Sequence, residues 1–66
     1  MDYRKIITVD PEVRGGQPCI RGLPITVFEI LECLASGKTM EEVLAGYAKL
    51  TREDVLACLA FGAGGD

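Results

Sequence analysis

The sequence predicts a mainly α fold: a three-helix, helix-turn-helix-like domain with a short N-terminal β element. Three observations predict it. First, Thr26-x-x-Glu29, Thr39-x-x-Glu42 and Thr51-x-x-Asp54 each set a hydroxyl three residues ahead of a carboxylate, and each opens an apolar-periodic run. Such a threonine accepts a hydrogen bond from an orphan first-turn amide, and the carboxylate reaches back to the threonine's own amide. Second, before Pro24 short β-branched runs alternate with turn residues. Third, 66 residues allow one domain at most. Its parts are a β/turn element over about 6–24, a helical part over 25–61 and a tail over 62–66.

Taken in order, Ile6-Ile7-Thr8-Val9 reads as a strand stopped by Asp10-Pro11. Gly15-Gly16 marks a turn. Cys19-Ile20-Arg21 reads as a second strand, broken by Gly22. A two-stranded ribbon of this size needs packing support. Helices are expected over about Val27–Ser36, Met40–Tyr47 and Arg52–Phe61. Ile25 facing Ile30, and Leu50 facing Val55, form hydrophobic staples. Asp54 is shorter than the glutamates in the other two boxes, so the third box should be the weakest. Gly37 stands where a helix end wants a left-handed residue. Met40, Val43, Leu44 and Tyr47 share one stripe of the second helix. Ala48-Lys49-Leu50 then gives a helix-turn-helix spacing, which any compact αα corner also shows.

Composition narrows the function. The chain has no histidine, which excludes Ser-His-Asp and Cys-His catalysis and every histidine-containing zinc site. Cys19, Cys33 and Cys58 are an odd number with no C-x-x-C pair. Their wide spacing and apolar neighbours make them small core hydrophobes rather than a disulfide framework or metal ligands. Cys33 should share the core arc of Ile30 and Leu34. Free thiols, and no signal-peptide or membrane-spanning run, point to the cytoplasm. No cofactor is expected, and no enzyme.

Net charge is −3, with a pI near 4.8, against strong non-specific nucleic-acid binding. Residues 1–24 carry four basic and three acidic side chains, and residues 25–66 three basic and seven acidic. The candidate contacts to a partner or to nucleic acid are Arg14, Arg21, Lys38, Lys49 and Arg52. For Arg21 a bridge to a carboxylate such as Glu29 or Asp10 is favoured over a phosphate contact. Gly15-Gly16 reads as a plain turn rather than an anion nest. Glu41/Glu42 and Glu53/Asp54 sit in first turns, where carboxylates suit the helix dipole.

A chain this short buries only about 60 % of its unfolded surface, and self-association is one usual remedy. The third helix runs Val55-Leu56-Ala57-Cys58-Leu59-Ala60-Phe61, apolar on all sides. A homodimer or larger assembly is therefore expected, with Val55, Leu56, Leu59 and Phe61 at its interface. The glycine-rich tail 62–66 should be ordered only where it lies across a neighbour.

The run Asp10-Pro11-Glu12-Val13-Arg14-Gly15-Gly16-Gln17-Pro18-Cys19-Ile20-Arg21-Gly22 resembles the prokaryotic domain-of-unknown-function 433 family. So do Ile25-Thr26-Val27, Leu34-Ala35-Ser36-Gly37, Glu41-Glu42-Val43-Leu44 and Leu50-Thr51-Arg52-Glu53-Asp54-Val55. The resemblance covers about Ile6 to Phe61. It implies a helix-turn-helix or homeodomain-like domain with an N-terminal β element, grouped with antitoxin-like proteins and often paired with a PIN-like nuclease toxin. Two departures stand out. Pro24 replaces the family's arginine beside the first helix, and Ala48 replaces the proline after Tyr47.

Two functions follow as expectations. The first is a self-associating, protein-binding module that is antitoxin-like and neutralises a PIN-like nuclease. The alternative is a helix-turn-helix DNA-binding regulator. Against the latter, the recognition helix would open Arg52-Glu53-Asp54 and continue apolar, where Arg, Lys, Asn or Gln should meet base edges. DNA binding is expected to be weak and salt-sensitive.

Overall fold

A computed structural model describes residues 2–64 of the chain. The expectation for the tail at Gly65 and Asp66 lies outside the described residues. A 3-10 turn at Tyr3–Lys5 leads into β1 (Ile7–Thr8). A second 3-10 turn, Arg14–Gly16, precedes β2 (Cys19–Ile20). Helices α1 (Val27–Ala35), α2 (Met40–Gly46) and α3 (Arg52–Gly62) follow. The predicted fold class is the observed one. Both strands are shorter than expected, and the helix ends lie within one residue of their expected positions.

β1 pairs antiparallel with β2, Ile7 opposite Ile20 and Thr8 opposite Cys19. β2 is flanked on its other side as well. Cys19 bridges Thr26, the Ile20 amide donates to the Ile25 carbonyl at 3.1 Å, and the Val27 amide donates to the Pro18 carbonyl at 2.9 Å. The ribbon thus gains the support a lone hairpin lacks, from the segment that starts α1. The chain reverses between these layers through Arg21 and Gly22, at φ 49° and 72°. Two successive left-handed residues are what a type I′ turn requires, and the Leu23 amide closes the turn on the Ile20 carbonyl at 2.8 Å.

All three capping boxes form. The threonine hydroxyl accepts from the N3 amide at 3.1, 3.2 and 3.3 Å in turn. The reciprocal bond from the cap amide measures 3.4 Å to Glu29, 2.8 Å to Glu42 and 3.0 Å to Asp54. The third box is therefore not the weakest: Asp54 reaches its cap amide more closely than Glu29 does. α1 ends in a Schellman motif, with Gly37 at φ 100°. The Lys38 amide donates to the Cys33 carbonyl and the Gly37 amide to the Leu34 carbonyl, at 3.3 and 3.1 Å.

The core is Ile20, Val27, Ile30, Val43, Leu50, Val55 and Cys58, drawn from β2, all three helices and the link before α3. Both staple pairs lie in or against it. α1 meets α3 where Leu31 packs against Gly62; a Cβ at Gly62 would stand 2.8 Å from Leu31 Cδ1. Two expectations need correction. Val55 is 0 % exposed within the single chain, so it is core and not interface. Cys33 is half-buried, while Cys19 and Cys58 are the fully buried thiols. Among the described residues no helix is long and apolar enough to cross a membrane.

Candidate functional site

Two arginines tie the β element to the helices. Each holds a left-handed backbone, Arg14 at φ 50° and Arg21 at φ 49°, and each binds the carboxylate that closes a capping box. Arg14 Nη1 donates to Glu29 Oε1 at 2.7 Å and to the Pro24 carbonyl at 3.3 Å. Arg21 Nε and Nη2 form a fork on Asp54 Oδ1 and Oδ2 at 3.1 and 2.9 Å. Nη2 also donates to the Lys49 carbonyl at 2.9 Å. Arg21 thus clamps the turn between α2 and α3. Burial pushes the Asp54 carboxyl up, but the Arg21 fork and the Thr51 amide overcome it and hold the carboxyl below its ordinary value.

The favoured bridging role of Arg21 is present with a different partner. Asp54 takes the place expected of Glu29 or Asp10, and Glu29 belongs to Arg14. Asp54, half of the acidic pair Glu53/Asp54, is committed to the cap and the clamp. Lys49 joins this clamp through its backbone carbonyl, and Arg52 opens α3 just after the Thr51 cap. Lys38 stands apart, on the rim of a concavity between α1 and the end of α2. Lys38, Lys49 and Arg52 make no salt bridge among the described residues.

That concavity, about 370 Å³ and widely open, is lined by Glu29, Glu32, Cys33, Ser36, Lys38 and Tyr47. Burial pushes the Tyr47 phenol up, with the Cys33 thiol and the Glu29 carboxylate adding to the rise. The hydroxyl of Ser36 donates to the Cys33 carbonyl at 2.7 Å. Sequence reasoning missed this hollow; the helical spacing of Glu29, Cys33 and Ser36 was its one local trace. Among the described residues no group of three or more Cys, Asp or Glu side chains is placed to hold a metal ion.

The apolar surface is the other candidate. Phe61 is half-buried, edge-on to Tyr3 and Phe28 with ring centroids 5.9 and 6.2 Å away. Its ring packs within the chain. Leu56 and Leu59 are 38 % and 42 % exposed on the outer side of α3, and Phe28 is 52 % exposed on α1. Of the expected interface residues, Leu56 and Leu59 are therefore the ones presented to solvent. Phe28 was not among those expected.

The family described as "Protein of unknown function (DUF433)" matches residues 7–62. The chain belongs to this family. The DUF433 chain is also 31 % identical over 52 residues to the uncharacterized protein y4eO of Sinorhizobium fredii (strain NBRC 101917 / NGR234), a match covering 79 % of this chain and 24 % of y4eO. The crystal structure of a DUF433 member protein from Anabaena variabilis superposes with a TM-score of 0.79 at 36 % identity. That match covers 83 % of this chain and 55 % of the Anabaena chain. The chain thus spans about a quarter of one relative and about half of the other.

Proposed function

We propose that this DUF433 chain is a protein-binding module rather than an enzyme, one that pairs with itself and holds a second polypeptide. The antitoxin-like grouping that the family resemblance implies makes a PIN-like nuclease the partner to test, and the free thiols suit work in the cytoplasm. One observation carries the reading: the helix at the recognition position presents Leu56 and Leu59 outward. Exposed leucines gathered on one helix face mark protein contact. The acidic balance of residues 25–66 suits a basic partner groove.

A specific observation favours the DNA-binding alternative as well. Lys49 and Arg52, both exposed and unpaired among the described residues, flank the α2–α3 turn beside Arg21. Co-expression with the protein encoded next to this chain, followed by size-exclusion chromatography, tests the first reading. Co-elution with loss of the partner's nuclease activity is expected, and separate elution would overturn it. In parallel, duplex DNA should bind weakly and lose affinity steeply with salt. Sequence-specific nanomolar binding in physiological salt would install the regulator reading instead.

A further inference from the structure

We infer that the outer face of α3 is a self-complementary seam, on which a second copy of the chain packs with its own α3 antiparallel. This rests on the self-association proposed above and adds the surface and its register. On α3 the buried residues Asp54, Val55, Ala57 and Cys58 share one side. The opposite side carries Leu56, Leu59 and Ala60, continued by the C-cap residue Ala63, at i, i+3, i+4 and i+7. Leu56, Leu59 and Ala63 are exposed there and Ala60 is half-buried. No charged side chain interrupts this stripe.

The two large residues come first and the two small ones last. A two-fold axis between Leu59 and Ala60 sets Leu56 against the partner's Ala63, and Leu59 against the partner's Ala60. Every leucine then meets an alanine, so the axes can close to about 8 Å. A parallel pair would stack leucine on leucine and leave the alanines facing a gap.

Charge agrees with the antiparallel choice. α3 carries Glu53 and Asp54 in its first turn and no basic residue in its last. A parallel pair would set the two exposed Glu53 side chains side by side, whereas antiparallel packing puts them at opposite ends of the seam. One three-turn helix buries well under the ~800 Å² per partner of a stable interface, so the pairing is weak and concentration-dependent. A seam here also occupies the helix that a helix-turn-helix lays in the major groove.

Sedimentation equilibrium of the full chain, from about 10 μM to 1 mM, reads the dissociation constant directly. Wild type should pass from monomer to dimer over this range. Leu59→Glu should weaken the dimer at least ~10-fold, because two charges enter one apolar seam. Val9→Glu makes the same charge change at a site 66 % exposed on the β element, and should leave the constant unchanged. Ala63→Leu adds no charge but overpacks the seam, and should weaken pairing several-fold; it also serves if Leu59→Glu loses its helical circular dichroism. A wild-type dimer indifferent to Leu59→Glu and Ala63→Leu would overturn the seam and leave self-association standing elsewhere. A wild type monomeric throughout would overturn both, while co-elution with a foreign partner would remain a separate question.

Discussion

At the scale of single residues, Arg21 shows where local reading stops. A side chain with a Cβ resists the left-handed region, and Arg21 holds it in a turn tied by backbone bonds and by its own guanidinium on Asp54. The partner, Asp54, lies 33 positions away. Nothing in the neighbourhood of Arg21 points to it, so the sequence offers the nearer carboxylates Glu29 and Asp10. The thiols make the same point. Cys33 and Cys58 both sit in apolar stretches, yet Cys33 faces an open hollow and Cys58 the core. Burial pushes the Cys58 thiol up to about 11. A thiol reagent at neutral pH should therefore label Cys33 first, with Cys19 and Cys58 following only as the fold opens. Cys58→Ser should cost roughly 1–3 kcal/mol by burying a hydroxyl without a sure partner, and Cys33→Ser much less. Urea titrations compare the two variants directly. Fast native-state labelling of Cys58 would show that the α3 core is placed wrongly.

At the scale of elements, most of the fold was legible, because capping is local. Each box spans four residues, so the order Thr26–Glu29, Thr39–Glu42, Thr51–Asp54 announced the three helix starts without any tertiary knowledge. Gly37 announced one end in the same way. The strands were less legible, since their length depends on how far β1 and β2 stay in register and not on propensity alone. The strength of the third box was misjudged for a related reason. Side-chain length set the expectation, while the Arg21 fork, invisible locally, holds the Asp54 carboxylate over the end of α3. A graded outcome follows. Thr39→Ala removes one cap acceptor at an exposed helix start and should cost about 1 kcal/mol. Asp54→Ala removes a box member and the anchor of the clamp together, and should cost about 2–3 kcal/mol. If denaturant midpoints placed Asp54→Ala level with Thr39→Ala, the clamp would contribute nothing to stability.

For the whole molecule, the sequence foresaw an all-apolar third helix but not which of its sides the rest of the chain would cover. That choice depends on where α1 crosses, at the Leu31–Gly62 contact, and periodicity carries no trace of it. The resulting domain is small enough for single titrations to matter, because its stability should be roughly 3–10 kcal/mol. Asp54, with the exposed carboxyls of Asp2 and Glu42, acts on the acid limb of its pH profile, and Cys58 and Tyr47 act on the alkaline limb. Asp54 has a depressed carboxyl in the folded state. The unfolded chain takes up that proton first, so the stability from Asp54 is complete above about pH 4 and is lost as pH falls further. Cys58 behaves oppositely. Its folded thiol sits near 11 against an ordinary 9.0, so its contribution is complete below about pH 9 and fades as pH rises toward 11, by about 2–3 kcal/mol. Tyr47, also raised by burial, extends the alkaline fall above its ordinary 10.0. Melting temperature against pH should therefore show a plateau from about pH 5 to 8 with a fall on each side. Asp54→Asn should make the acid limb shallower while lowering the plateau, with Asp2 and Glu42 carrying what remains of the fall. Cys58→Ala should remove the first part of the alkaline limb, between about pH 9 and 10, and leave the Tyr47 part in place. An alkaline fall of unchanged size and onset in Cys58→Ala would mean that the buried thiol does not drive it.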